Sequence, residues 1–365
     1  MDTTPTLDQI QWMTPPLVSP LKNPALDQEV KKALGMIPTM MPYLYSNPVF
    51  VRVGIAAQQY YPLHLPGDLG PLIHLVVSQD NSCRYCYGAV RSMLKLLGYQ
   101  EEYIRQLEQE LTLIELEPAQ KKALEISRKI SRTNPRPGSI DLKDLERAGL
   151  SRVAVKEIVV EASLTCYSNR LATCLAVPPD AIEKMEKNFI MKIFRPLIAK
   201  KMRSGMKPNL VQKEHSGPYV GPCAELLDLL KDLPAAASLL RTILEAAWSS
   251  QAIPRRTKAM MVAVVSRSSG CQSSEAAACR VLEAEGFSPA DIQQMLTQLS
   301  SDKLTPLERK LLPLARETVR YRPQEIQQKF REAAAGEPDA VIVEIVVTAA
   351  LANLVSRLSL LQHLN

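Results

Sequence analysis

The stretch Ser78-Gln79-Asp80-Asn81-Ser82-Cys83-Arg84-Tyr85-Cys86 joins the apolar run Leu72–Val77 to a segment with helical periodicity. Two thiols three residues apart can close a disulfide, and a helix start favours a thiolate because its free backbone N–H groups attract negative charge. The stretch also has a counterpart later in the chain. Met260–Ser266 precedes Cys271 as Leu72–Ser78 precedes Cys83, an offset of 188 residues. At that same offset Pro66 pairs with Pro254, Gly98-Tyr99 with Gly286-Phe287, and Leu116-Glu117-Pro118 with Leu304-Thr305-Pro306. One deletion later, Glu157–Val160 pairs with Glu344–Val347 and Arg170 with Arg357. Ordered matches of this kind mark an internal duplication.

Both copies read as helices. Glu101–Ile114 places charged and apolar residues at helical spacing, and Glu117–Ser131 carries a proline at an early helical position. Lys156–Leu175 opens with β-branched residues, yet its length argues for helix rather than strand. Gly98 and Gly286 stand where a helix should stop, and the proline-rich stretch through Pro24 reads as an irregular arm. The chain divides into a first repeat at 1–186, a basic linker at 187–216 and a second repeat at 217–365. The linker's Lys192, Arg195, Lys200, Lys201, Arg203, Lys207 and Lys213 read as a solvated surface, with a basic contact for an acidic partner or membrane surface as the alternative.

The bulk numbers agree with this division. A chain of 365 residues with 46% hydrophobic content can bury two ordinary cores, and 5% aromatics with only 14 glycines suit an all-α protein. A net charge of +6 is too dilute for a nucleic-acid surface, so no nucleic-acid partner is expected. Seven cysteines without regular spacing are not a secreted disulfide framework. The start Met1-Asp2-Thr3-Thr4-Pro5 has no basic and apolar leader, and the apolar stretch Ala340–Val355, interrupted by Glu344, is shorter than a membrane span. A cytoplasmic, reducing location without a membrane span is the expectation. In such a compartment a close thiol pair is catalytic or metal-binding more often than structural.

Ser78, Asn81, Cys83, Tyr85 and Cys86, with Gly98 behind them and Asn169-Arg170 on a late helix, carry a resemblance. The pattern resembles the AhpD-like or carboxymuconolactone decarboxylase family in its peroxidase-related branch. Gly35-Met36-Ile37-Pro38 and Asn47-Pro48 are similar to the leading helices of that branch. The likeness runs over 35–178 and, more weakly, over 222–360. It implies an all-α fold of two tandem AhpD-like repeats packed as a pseudo-dimer, and a homo-oligomer. It also implies thiol-dependent reduction of a hydroperoxide or disulfide, with Cys83 and Cys86 cycling between dithiol and disulfide and an electron-donor protein returning the electrons. Active members resemble one another in a proton relay of a Glu before the first Cys and a His after the second. Those positions here are Pro71 and Val90, which cannot transfer a proton. In the second repeat Cys271 remains, Ser274 replaces the second thiol, and Ala259 and Ala278 hold the relay positions. The rival expectation is a catalytically silent scaffold that uses the helical fold for protein interaction.

Read residue by residue, Cys83 and Cys86 are the candidate catalytic pair. His74, three residues after Pro71 and so on the same helical face, is a candidate base. Tyr85 is a candidate auxiliary that could polarise a bound oxygen, against the plainer reading of a packed ring with a satisfied hydroxyl. Cys166 with Cys174, and Cys271 with Cys279, read as small buried fillers, and Asn169, Arg170 and Arg357 as buried polar groups that knit helices. Four histidines at scattered positions form no metal-spaced set, and no glycine-rich phosphate loop appears, so no metal and no cofactor is expected.

Overall fold

A computed structural model of the chain describes residues 5–109, 115–187 and 217–364. The basic stretch 188–216 and the end of the expected helix at 110–114 lie outside the described residues. The fold is all-α, with no strand among the described residues.

The first repeat contributes α1 (Pro24–Leu34), α2 (Pro48–Gln59), α3 (Leu69–Asp80), α4 (Arg84–Leu96), α5 (Glu101–Gln109), α6 (Pro118–Arg132), α7 (Ser139–Arg147), α8 (Arg152–Cys174) and α9 (Ile182–Lys187). The second contributes α10 (Glu225–Leu229), α11 (Pro234–Ser249), α12 (Arg255–Ser268), α13 (Gln272–Ala284), α14 (Pro289–Gln298), α15 (Pro306–Glu317), α16 (Pro323–Ala333) and α17 (Asp339–Leu358). Helices α2–α8 recur in order as α11–α17. The local signals recur with them. Prolines open α2, α6, α11 and α15, where a missing N–H costs nothing. Gly98 and Gly286 take φ of +106° and +90°, conformations that a Cβ would oppose, and let the chain leave α4 and α13.

The long helices α8 and α17 pack along one another at the centre. Both are buried nearly all round, α17 mostly with apolar side chains and α8 with buried polar groups among the apolar ones. By length and composition α17 with its extension to Leu364 could cross a membrane, contrary to the shorter stretch expected from Glu344. Its apolar window, however, is 94% buried inside the protein. Glu344 is accommodated by a buried ion pair with Lys258 at 2.5 Å, with Ala252 N–H as a further donor at 2.9 Å.

The two repeats are joined by reciprocal arginines. Arg170 on α8 donates to the carbonyls of Thr318 and Val319, both at 3.0 Å, at the end of α15. Arg357 on α17 donates to the carbonyls of Ile130 and Ser131, at 3.2 and 3.0 Å, at the end of α6. Each guanidinium therefore satisfies helix-end carbonyls that would otherwise lack partners in the interior. The pseudo-dimer is held by polar contacts at symmetric places as well as by the apolar faces.

Candidate active site

The turn from α3 to α4 builds the site. Asn81 ends α3, Ser82 takes φ of +49°, and Cys83 N–H returns to the Ser78 carbonyl at 3.0 Å. A left-handed Ser is unfavourable by about 1 kcal/mol, so the surrounding contacts must hold it there. Cys83 becomes the N-cap of α4, with its Sγ accepting from the Cys86 N–H at 3.4 Å. It is fully buried, while Cys86 on the first turn is half-buried.

The two thiols are driven apart in acidity. Burial pushes the Cys83 thiol up, but contacts from the Cys86 side chain and N–H, the Thr173 hydroxyl and the Tyr85 N–H outweigh it. The net effect holds Cys83 below its ordinary value. The neighbouring Cys83 sulfur, burial, and the nearby charges hold Cys86 well above its own. The two acidities are thus opposed, with Cys83 the more acidic thiol of the pair.

A polar network fixes the turn from below. Asn81 Nδ2 donates to Asn169 Oδ1 at 3.0 Å, Asn169 Nδ2 to Ser78 Oγ at 3.0 Å, and Arg170 Nη1 to Asn81 Oδ1 at 3.2 Å. Each of these groups is buried and partnered, which makes the network a source of rigidity rather than a penalty. Asn169 and Arg170 thus do knit helices, and they also support the cysteine turn.

A cover lies over the start of α4. Tyr85 Oη donates to Asp180 Oδ2 at 2.7 Å, and Arg84 makes paired bonds to Glu183 on α9 at 2.7 and 3.0 Å. Gly88 permits the approach, since a Cβ there would fall 2.1 Å from Glu183 Oε1. Asp180 is also held by Thr39 N–H at 3.2 Å and Ile182 N–H at 2.9 Å. Tyr85 therefore has its hydroxyl committed to Asp180. His74 is half-exposed on α3, and its Nε2 stands 2.9 Å from Glu161 Oε1 of α8 and is committed to that carboxylate.

Cys166 and Cys174 are fully buried; burial, with the charge of Cys83 contributing, pushes Cys174 upward and keeps it protonated. Among the described residues no group of His, Cys, Asp and Glu could hold a metal ion. A surface hollow of about 390 Å³ near α16, lined in part by Met13, Gln324 and Lys329, contains none of the site residues.

Sequence reading missed Thr173, Asp180, Glu183 and Tyr321 around this turn. Asp180 and Glu183 follow α8 without any motif. Thr173 lies one turn beyond Asn169, a spacing that could have put it on the same helix face. Tyr321 belongs to the second repeat, and only the packing of the repeats brings it here.

In the second repeat the same turn is built with Gly270 at φ of +68° in place of Ser82, and Cys271 takes the N-cap position of the following helix without a side-chain cap bond. Burial raises Cys271, but the Ser274 and Ser359 hydroxyls, the Ser274 N–H and the Arg136 charge outweigh it and leave the thiol below its ordinary value. Arg136, from the first repeat, donates to Ser269 O at 2.7 Å and Ser359 Oγ at 2.6 Å beside it.

Comparison with known proteins follows this division in an unexpected way. The model of the carboxymuconolactone decarboxylase family matches residues 234–317, in the second repeat that lacks the thiol pair. Two solved structures are similar to about half of the chain. An uncharacterized peroxidase-related protein from Silicibacter sp. is 21% identical, with 50% of this chain and 96% of that one covered and a TM-score of 0.40. An uncharacterized peroxidase-related protein with an alkylhydroperoxidase AhpD core, from Ralstonia eutropha, is 18% identical, with 51% and 95% covered and a TM-score of 0.39. No curated protein matches. The family model thus falls on residues 234–317 of the second repeat, and the same helices recur in the same order in the first.

Proposed function

We propose that this protein reduces a hydroperoxide through the Cys83–Cys86 pair and is recharged by a dithiol donor protein. The observation that carries this reading is the opposed acidity of two neighbouring thiols at one helix start. Cys83, as thiolate, attacks the distal peroxide oxygen; the O–O bond breaks, Cys86–SH supplies the proton, and an alcohol or water leaves. Cys83 is then a sulfenic acid and Cys86 a thiolate. Attack of Cys86 on the Cys83 sulfur closes the disulfide and releases hydroxide. Two electrons have passed from the thiol pair to the peroxide. The half-buried Cys86 is the sulfur that a donor thiolate can reach, and Cys83, being the more acidic, is the better leaving group. Disulfide reduction would use the same second half.

Pro71 and Val90 supply no proton relay, so Cys86 itself must act as the acid. The burial of Cys83 favours small hydroperoxides over bulky ones. These two facts are also what supports the second reading, a silent scaffold. Hydrogen peroxide consumption with dithiothreitol as donor separates the two. The enzyme reading expects consumption above the dithiothreitol background, falling to background in Cys83→Ser and in Cys86→Ser. Consumption no faster than background in the unaltered protein leaves the scaffold. Oligomer formation is proposed on the same family grounds and is tested by light scattering.

A further inference from the structure

The second repeat places one group at the first repeat's thiols. Tyr321, in the segment between α15 and α16, is held there by Arg170. The guanidinium stands 5.5 Å over its ring and bonds the carbonyls of Thr318 and Val319 just before it. The same Arg170 supports Asn81 in the cysteine turn, so one side chain fixes both the turn and the tyrosine. Gln327 of α16 adds a bond to the Thr173 carbonyl at 2.9 Å.

Two buried hydroxyls are left over at this junction. Thr173 Oγ1 and Tyr321 Oη have no hydrogen-bond partner. Buried polar groups are satisfied almost everywhere in folded proteins, and exceptions at one spot call for an explanation. Thr173 acts directly on the Cys83 thiol, and Tyr321 interacts with Thr173 and is reached by the Cys83 charge. We propose that Tyr321 is a positioning residue contributed by the second repeat. Its hydroxyl donates to Thr173, which donates in turn to the Cys83 sulfur when that sulfur is ionised. The unpartnered hydroxyls are then donors awaiting a charge. The second repeat, without a thiol pair of its own, completes the site of the first.

Other groups act on the same sulfur and remain in place during the test. They are Cys86 and Tyr85 from α4 and Cys174 from α8, while Arg170 acts on Cys174 and Asp180 on Cys86. The proposal deepens the peroxidase reading, but its test does not depend on turnover. Thiolate ultraviolet absorbance against pH, taken as the difference between each protein and its Cys83→Ser derivative, reports the ionisation midpoint of Cys83. Tyr321→Phe keeps the ring and should raise that midpoint by about half a pH unit; Thr173→Val should raise it by about one. Thr173→Ser should restore it. Should Tyr321→Phe fail to fold, judged by helical circular dichroism, the Thr173→Val and Thr173→Ser pair decides alone. Unshifted midpoints in the folded variants overturn the proposal even if peroxide is consumed. Shifted midpoints without peroxide consumption uphold this contact and remove the peroxidase reading instead.

Discussion

The turn around Cys83 and its counterpart around Cys271 share a scaffold and differ in chemistry. Each follows a left-handed residue, each cysteine takes the N-cap position of the next helix, and a residue of the opposite repeat acts near each, Tyr321 at the first turn and Arg136 at the second. Arg170 and Arg357 bind helix-end carbonyls across the interface in the same way. Yet Cys86 is matched by Ser274, Asn81 by Ser269, and Tyr321 by Thr133. Because α13 starts on Cys271 with a serine in the second place, the fold does not require the second sulfur. What Cys86 adds over Ser274 is therefore chemical: a proton reservoir and a partner for a disulfide.

The largest expected effect treats the repeats as equals. Arg170→Met and Arg357→Met each leave buried carbonyls without a donor and should cost about 3 kcal/mol. Denaturant unfolding would show it, and a loss below about 1 kcal/mol in either variant would break the symmetry claimed for the interface. Only Arg170→Met should also disturb the ionisation of Cys83.

Acidity separates the repeats by pH. The Cys83 value is depressed on folding, so its ionised form contributes stability fully present above the unfolded thiol value of about 8.5. That contribution is lost as pH falls through the lower folded value. The Cys86 value is raised, so its protonated form contributes stability below the unfolded value and loses it as pH rises through the folded one. The stability gap between the unaltered protein and Cys83→Ser should therefore widen as pH rises toward the unfolded thiol value of about 8.5. A flat gap, measured by unfolding in buffers up to that value, would mean Cys83 carries no stabilised charge.

The smallest effect lies in the helix caps. Thr305 caps α15 by accepting from Glu308 N–H at 3.2 Å, while its counterpart Glu117 makes no side-chain cap on α6. Thr305→Ala should cost about 1 kcal/mol, and Glu117→Ala close to nothing, in thermal unfolding.

The sequence made the architecture legible because each local signal agreed with its copy: prolines at helix starts, glycines at helix ends and apolar runs in the same order. The apolar stretch read as Ala340–Val355 belongs to a longer buried helix, in which Glu344 is paired with Lys258 within the core. Of the site, Cys83 and Cys86 announced themselves by spacing, and Asn169-Arg170 by family likeness. His74 could be named from helical spacing and Tyr85 from its place beside Cys86, but their committed partners, Glu161 and Asp180, come from other helices or loops. Tyr321 and Arg136 were hidden because each acts on the opposite repeat, and no pattern along the chain encodes that contact.

The central claim is that chemistry belongs to one turn of the two. Equimolar hydrogen peroxide followed by peptide mapping of all seven cysteines tests it most directly. The account predicts a Cys83–Cys86 disulfide, with Cys223, Cys271 and Cys279 left as free thiols. Oxidation at Cys271 with Cys83 and Cys86 still reduced would contradict it.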